Sequence, residues 1–128
     1  EYINLGNAAR LRGRTSSAER YYREAMRLFL ESGDRQGEGA CLGGLGNIAF
    51  SRGEYDEAER LNNECLAIYR EIGDRRGEGN ALGNLGLAYA DLGEVPKATS
   101  LLQQAKAIGE EIKDPQIVQV VTSALEDL

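Results

Sequence analysis

Apolar residues in this chain fall three and four apart, and the spacing returns forty residues later. Leu42, Leu45 and Ala49 lie at i, i+3 and i+7, one face of a helix. Gly53 follows, where a glycine just past a helix end is expected. Ala58, Leu61, Cys65, Ile68 and Ile72 then predict a second helix, ended by Gly73. The same pair of patterns precedes it, as Leu5, Ala9 and Gly13, then Ala18, Tyr22, Ala25 and Phe29, then Gly33. It also follows, as Leu82, Leu85, Tyr89 and Gly93, then Ala98, Leu102, Ala105 and Ile108. Self-similarity at a fixed period of this size predicts stacked helix pairs, each covering the apolar face of its neighbour.

Punctuation residues repeat with the helices. Asp34, Asp74 and Asp114 stand where an N-cap is expected. Ser16 with Glu19 fits a capping box, and Pro96 is tolerated in a first turn. Gly6, Gly46 and Gly86 fall inside predicted helices, where glycine costs about 1 kcal/mol relative to alanine. Three acceptances of that cost point to close approach of the paired helix, which carries the small Ala18, Ala58 and Ala98. After Asp114-Pro115, the run Ile117, Val118, Val120, Val121 and Leu125 has the register of another first helix. It is either a capping helix or the start of a further repeat. The expected organisation is one domain over 1–128, with repeats at about 1–34, 35–74 and 75–114 and a terminal helix over about 115–127.

Composition narrows the chemistry. The net charge is −6, from 15 basic and 21 acidic residues, a poor match for nucleic acid. The acidic excess grows toward the C-terminus. No run of about 18 apolar residues is present, so no membrane-spanning helix is expected. The chain opens on Glu1 and has its one methionine at Met26, which reads as part of something longer. Cys41 and Cys65 fall at apolar repeat positions and read as reduced packing residues of a cytoplasmic protein. With no histidine and no Cys cluster, neither a metal nor another cofactor is expected, and the chain is read as no enzyme. Gly37-x-Gly39-x-x-x-Gly43 and its copy at 77–83 imitate a dinucleotide fingerprint. That loop needs a strand before it, and here a predicted helix precedes each copy.

The repeating pattern resembles the tetratricopeptide repeat. Tyr2, Leu5, Gly6, Ala9, Ala18, Tyr22 and Ala25 fill its slots in the first unit. Leu42, Leu45, Gly46, Ala49, Ala58 and Cys65 fill them in the second, where Asn62 departs from an aromatic slot. Leu82, Leu85, Gly86, Tyr89, Ala98, Leu102 and Ala105 fill them in the third. The forty-residue length, the Leu-Gly-Asn runs and Gly-Asp-Arg-x-Gly-Glu-Gly at 33–39 and 73–79 are similar to spindle-orientation adaptors and to bacterial regulators with long repeats. The resemblance implies an all-α, right-handed α-α superhelix of three helix pairs plus a C-terminal helix. It implies first helices lining a concave groove that binds an extended peptide of a partner protein.

The groove face lies opposite the packing stripe. It comprises Ile3, Asn4, Asn7, Arg10 and Leu11, then Gly43, Gly44, Asn47, Phe50 and Ser51, then Gly83, Asn84, Leu87, Ala90 and Asp91. Asparagine suits a peptide backbone because its amide both donates and accepts. Candidate contacts are Asn4, Asn7, Arg10, Asn47, Phe50, Asn84 and Leu87. Asn7 and Asn47 could instead bond within the repeat, and Phe50 could be buried between repeats. Gly43, Gly44 and Gly83 would let a peptide main chain lie close. Ile3, Gly83 and Leu87 stand where chaperone-tail binders carry basic groups, and Ala40 and Asn80 where the spindle adaptors carry arginine. Glu57, Arg60, Glu64 and Glu71 fit an exposed, salt-bridged convex face. The expected function is a noncatalytic scaffold. The alternative is a homo-oligomerising or regulatory module of a larger signalling protein, its solenoid ends stacking chain on chain.

Overall fold

The structure, a computed structural model, describes residues 15–128. Among the described residues the chain forms six helices and no strand. They are α1 (Thr15–Ser32), α2 (Arg35–Ser51), α3 (Tyr55–Ile72), α4 (Arg75–Asp91), α5 (Val95–Glu111) and α6 (Pro115–Glu126). Two compact units divide them, at residues 1–72 and 73–128. In the first, α2 packs against α1 and against α3. In the second, α5 packs against α4 and against α6, and α4 also meets α6. The all-α expectation and its helix pairs hold.

Each helix ends and restarts by the same local chemistry. Gly33, Gly53, Gly73 and Gly93 all adopt positive φ, between 73° and 79°. The chain then turns back on itself, with the Asp34 N–H donating to Phe29 O at 3.0 Å and the Glu54 N–H to Ala49 O at 2.9 Å. Asp34 and Asp74 cap the next helix, their carboxylates accepting from the N–H of Gly37 (3.0 Å) and Gly77 (2.8 Å). Lys113 takes the glycine slot before α6 at φ 57°, a conformation that costs an L-residue about 1–2 kcal/mol. The proposed capping box at Ser16 is not seen. The helix is already formed at Thr15, and the Glu19 carboxylate is held by Arg23 and Arg52, each at 3.1 Å.

The core is the repeat stripe. Ala18, Tyr22 and Ala25 are buried on α1, and Ala58, Leu61, Cys65 and Ile68 on α3. Ala98, Leu102, Ala105 and Ile108 are buried on α5. Ile72 is the exception to its stripe, 40% exposed at the last residue of α3.

The helical glycines form a seam. A Cβ on Gly39, Gly43 or Gly46 of α2 would lie 3.3, 3.3 or 2.6 Å from Ile68, Cys65 or Asn62 of α3. On α4 the same register gives Gly79 against Ile108 (3.0 Å), Gly83 against Ala105 (3.8 Å) and Gly86 against Leu102 (2.7 Å). Helix pairs thus approach backbone to side chain, closer than a Cβ permits at Gly46 and Gly86 and tightly at Gly39, Gly43 and Gly79. The tightest contacts are Asn62 and Leu102, not the neighbouring alanines. Asn62 fills the aromatic slot as a buried amide that donates to Ala58 O at 2.9 Å.

A second device recurs with the repeat. Arg35, on the first turn of α2, pairs with Glu38 and reaches across to Glu71 at the end of α3. Arg75 does the same on α4, bonding Glu78 at 2.7 Å and Glu111 of α5 at 2.8 Å. Glu57, Arg60 and Glu64 form the expected exposed ladder along α3. Glu71 is exposed and salt-bridged as expected, through Arg35 of α2.

The seam yields a paired prediction. Gly86→Ala should destabilise, since a Cβ 2.7 Å from fully buried Leu102 brings overpacking of about 1–3 kcal/mol against about 1 kcal/mol of helix propensity. Gly83→Ala, three residues away, meets only ordinary contacts at 3.7 and 3.8 Å and should stabilise by up to about 1 kcal/mol. Chemical denaturation of the two variants reads the opposite signs.

Candidate functional site

In the second unit, α4 and α6 leave a groove of about 440 Å³ between them. Arg76, Asn80, Asn84 and Leu87 recur at i, i+4, i+8 and i+11, so they share one face of α4. Gln116 and Val120 face them from α6, again four residues apart. The floor is Gly79, Gly83, Ile117 and Val121, all buried. Glycine at 79 and 83 keeps the floor low, because no side chain rises from α4 at those points.

One end of the groove is fixed by an ion pair. Arg76 Nε donates to Asp114 Oδ2 at 3.0 Å. Asp114 Oδ1 accepts from the N–H groups of Gln116 (3.0 Å) and Ile117 (3.2 Å), so one carboxylate both caps α6 and anchors the arginine. The Arg76 guanidinium holds the Asp114 carboxyl below its ordinary range, and the backbone N–H of Ile117 adds to the effect. The middle of the groove differs. Among the described residues, the side-chain amides of Asn80, Asn84 and Gln116 have no hydrogen-bond partner. Val120 is 48% exposed and Leu87 half-buried, which puts apolar surface beside those amides. Paired donors and acceptors beside aliphatic surface can hold an extended main chain and one apolar side chain.

The corresponding face of α2, in the first unit, presents Asn47 and Phe50, both half-buried. The Asn47 side-chain amide has no partner among the described residues, while the Asn47 backbone carbonyl accepts from Ser51 Oγ at 3.1 Å. The Phe50 ring stands 5.8 Å from that of Tyr55, tilted by 58°. Gly44 is not open to a peptide. A Cβ there would lie 2.5 Å from the ring of Tyr22, which covers it from α1. Gly43 is half-buried, and a Cβ there would lie 3.3 Å from Cys65 Sγ.

Of the residues expected from sequence, Asn84 and Leu87 line the groove of the second unit, and Asn47 and Phe50 share one face of α2. Asn4, Asn7 and Arg10 lie outside the described residues, as do Ile3 and Leu11. Arg76, Asn80, Gln116 and Val120 were not among the candidates. A signal for them existed, since 76, 80, 84 and 87 continue one helical face, and 116 and 120 repeat its first two positions in α6.

Burial pushes the thiols of Cys41 and Cys65 up to about 11 and about 12, so both stay protonated at neutral pH. Among the described residues no three His, Cys, Asp or Glu side chains converge as metal ligands. No described helix is long and apolar enough to cross a membrane.

Comparison with known proteins agrees with this architecture. A family model described as tetratricopeptide repeat matches residues 2–71 and, in a second placement, residues 38–111. A search of curated proteins found no match.

The Arg76–Asp114 contact makes the groove acid-sensitive in a defined direction. A carboxyl depressed in the folded state stabilises above its unfolded pKa, about 3.9, and loses that contribution as pH falls through the folded value. Asp114→Asn keeps a capping side chain but cannot ionise. Wild type should therefore melt above Asp114→Asn at pH 7, and the gap should shrink as pH falls below about 3.9, toward the lowered folded value. Thermal melts of both proteins across that range check it.

Proposed function

Because the chain belongs to the tetratricopeptide repeat family, we propose that it is a noncatalytic scaffold holding an extended segment of a partner protein on its first helices. Family membership supports a protein–protein interaction scaffold in general. The finer reading rests on the groove between α4 and α6, where Asn80, Asn84 and Gln116 carry unpartnered amides beside exposed Val120. An amide on each wall would bond the partner's main chain, while Leu87 and Val120 take an apolar side chain. In the first unit, Asn47 and Phe50 of α2 likewise present an amide beside apolar surface. Two buried thiols suit a reducing compartment, and we place the protein in the cytoplasm.

A displayed library of random 16-residue peptides, panned on the protein, supplies ligands for the test. Peptides recovered on wild type should bind Asn84→Ala and Val120→Asp about tenfold more weakly, or about 1.4 kcal/mol each. Gln103→Ala, on the exposed face of α5, should leave affinity unchanged. Calorimetric titration reads all three. Peptides indifferent to both groove changes would place binding elsewhere.

A further inference from the structure

The groove between α4 and α6 is neutral at one end and acidic at the other. The two helices begin together, since Arg76 on the first turn of α4 bonds Asp114, the N-cap of α6. That ion pair cancels the charge of its end. The far end has no such pairing. Asp91, the last residue of α4, lies four residues beyond Leu87 and continues the face of Asn80 and Asn84. Asp127 continues the face of Gln116 and Val120. Both aspartates are exposed, and neither side chain has a partner among the described residues. Nor does α4 carry a basic residue in its last turn, where a cation would offset the negative pole of the helix. Lys97, at the start of α5, stands over the ring of Tyr89 at 4.3 Å, on the side of α4 turned away from the groove. Forty residues earlier the places of Asp91 and Leu92 are held by Ser51 and Arg52, and Arg52 bonds Glu19 at 3.1 Å. The acidic end is thus a feature of the second unit.

On the peptide-binding reading of this groove, on which the inference rests, we propose that the segment held there is basic. It carries a lysine or arginine two residues from the apolar side chain seated between Leu87 and Val120. The spacing follows from geometry. Four residues of helix advance about 6 Å, which separates Leu87 from Asp91. An extended chain advances about 3.3 Å per residue, so about two residues cover that distance. Residues two apart in an extended chain point the same way, so the cation enters the groove beside its apolar neighbour. There it meets Asp91, the negative pole of α4 and, from the other wall, Asp127. An acidic residue in that place would be repelled by all three.

The 16-residue peptides recovered on wild type are the probes, titrated by calorimetry at low and at high salt. They should share an apolar residue with lysine or arginine two positions away. Asp91→Asn should bind them about threefold more weakly and Asp91→Lys about tenfold, with the larger loss at low salt. Replacing the peptide's basic residue by glutamine should remove the difference between wild type and Asp91→Asn. Asp91 is exposed and unpaired at a helix C-terminus, so neither substitution should lower the melting temperature, which separates lost binding from lost folding. Peptides that need Asn84 and Val120 but ignore both changes at Asp91 overturn the inference and leave the groove reading standing. Peptides indifferent to Asn84→Ala and Val120→Asp overturn both.

Discussion

The distance between paired helices governs this protein, and six glycines set it. At 39, 43 and 46, and again at 79, 83 and 86, the first helix presents bare backbone to the side chains of the second. Each such glycine weakens its own helix by about 1 kcal/mol, so the helices are poor in isolation and depend on being paired. What they gain is close packing. Leu102 and Asn62 press into the seam, and Ile68 and Ile108 close its far end. The seam also shapes the groove, because Gly79 and Gly83 leave the floor flat enough for Asn80 and Asn84 to form its wall.

Close packing of this kind needs the ends of each pair held in register, and two local devices do so. At the tip, a left-handed glycine reverses the chain, and at the open end an N-cap aspartate restarts it. Across that end, Arg35 ties α2 to Glu71, and Arg75 ties α4 to Glu111. These pairs are largely exposed, so each contributes little alone. Their recurrence at the same register indicates that they fix orientation between helices whose burial supplies most of the free energy.

Local signals were therefore legible from the chain, and contacts between helices less so. The caps at Asp34 and Asp74, the glycine stops and the buried stripe from Ala58 to Ile68 follow from spacing alone. Ile72 was misplaced because periodicity does not reveal that the last residue of a helix outruns its neighbour. Gly43 and Gly44 were misread for a related reason. A glycine on the groove side looks the same in sequence whether its space is empty or filled, and here Tyr22 and Cys65 fill it. Arg76 was missed because its partner Asp114 is thirty-eight residues away. Glu71 is exposed and salt-bridged as expected, and only its partner on another helix, Arg35, could not be read from spacing.

Repetition separates the residues that build from those that choose. Positions 39, 43 and 46 are constrained by a neighbouring helix, and they return unchanged at 79, 83 and 86. Positions 36, 40, 44 and 47 meet no such constraint in common, and they become Arg76, Asn80, Asn84 and Leu87. In α6 the seam positions become Gln119, Ser123 and Glu126, and the groove positions that are Arg76 and Asn80 in α4 become Gln116 and Val120. On the proposed function, the residues that choose the partner are those at which the copies differ, Asn84 and Leu87 against Gly44 and Asn47.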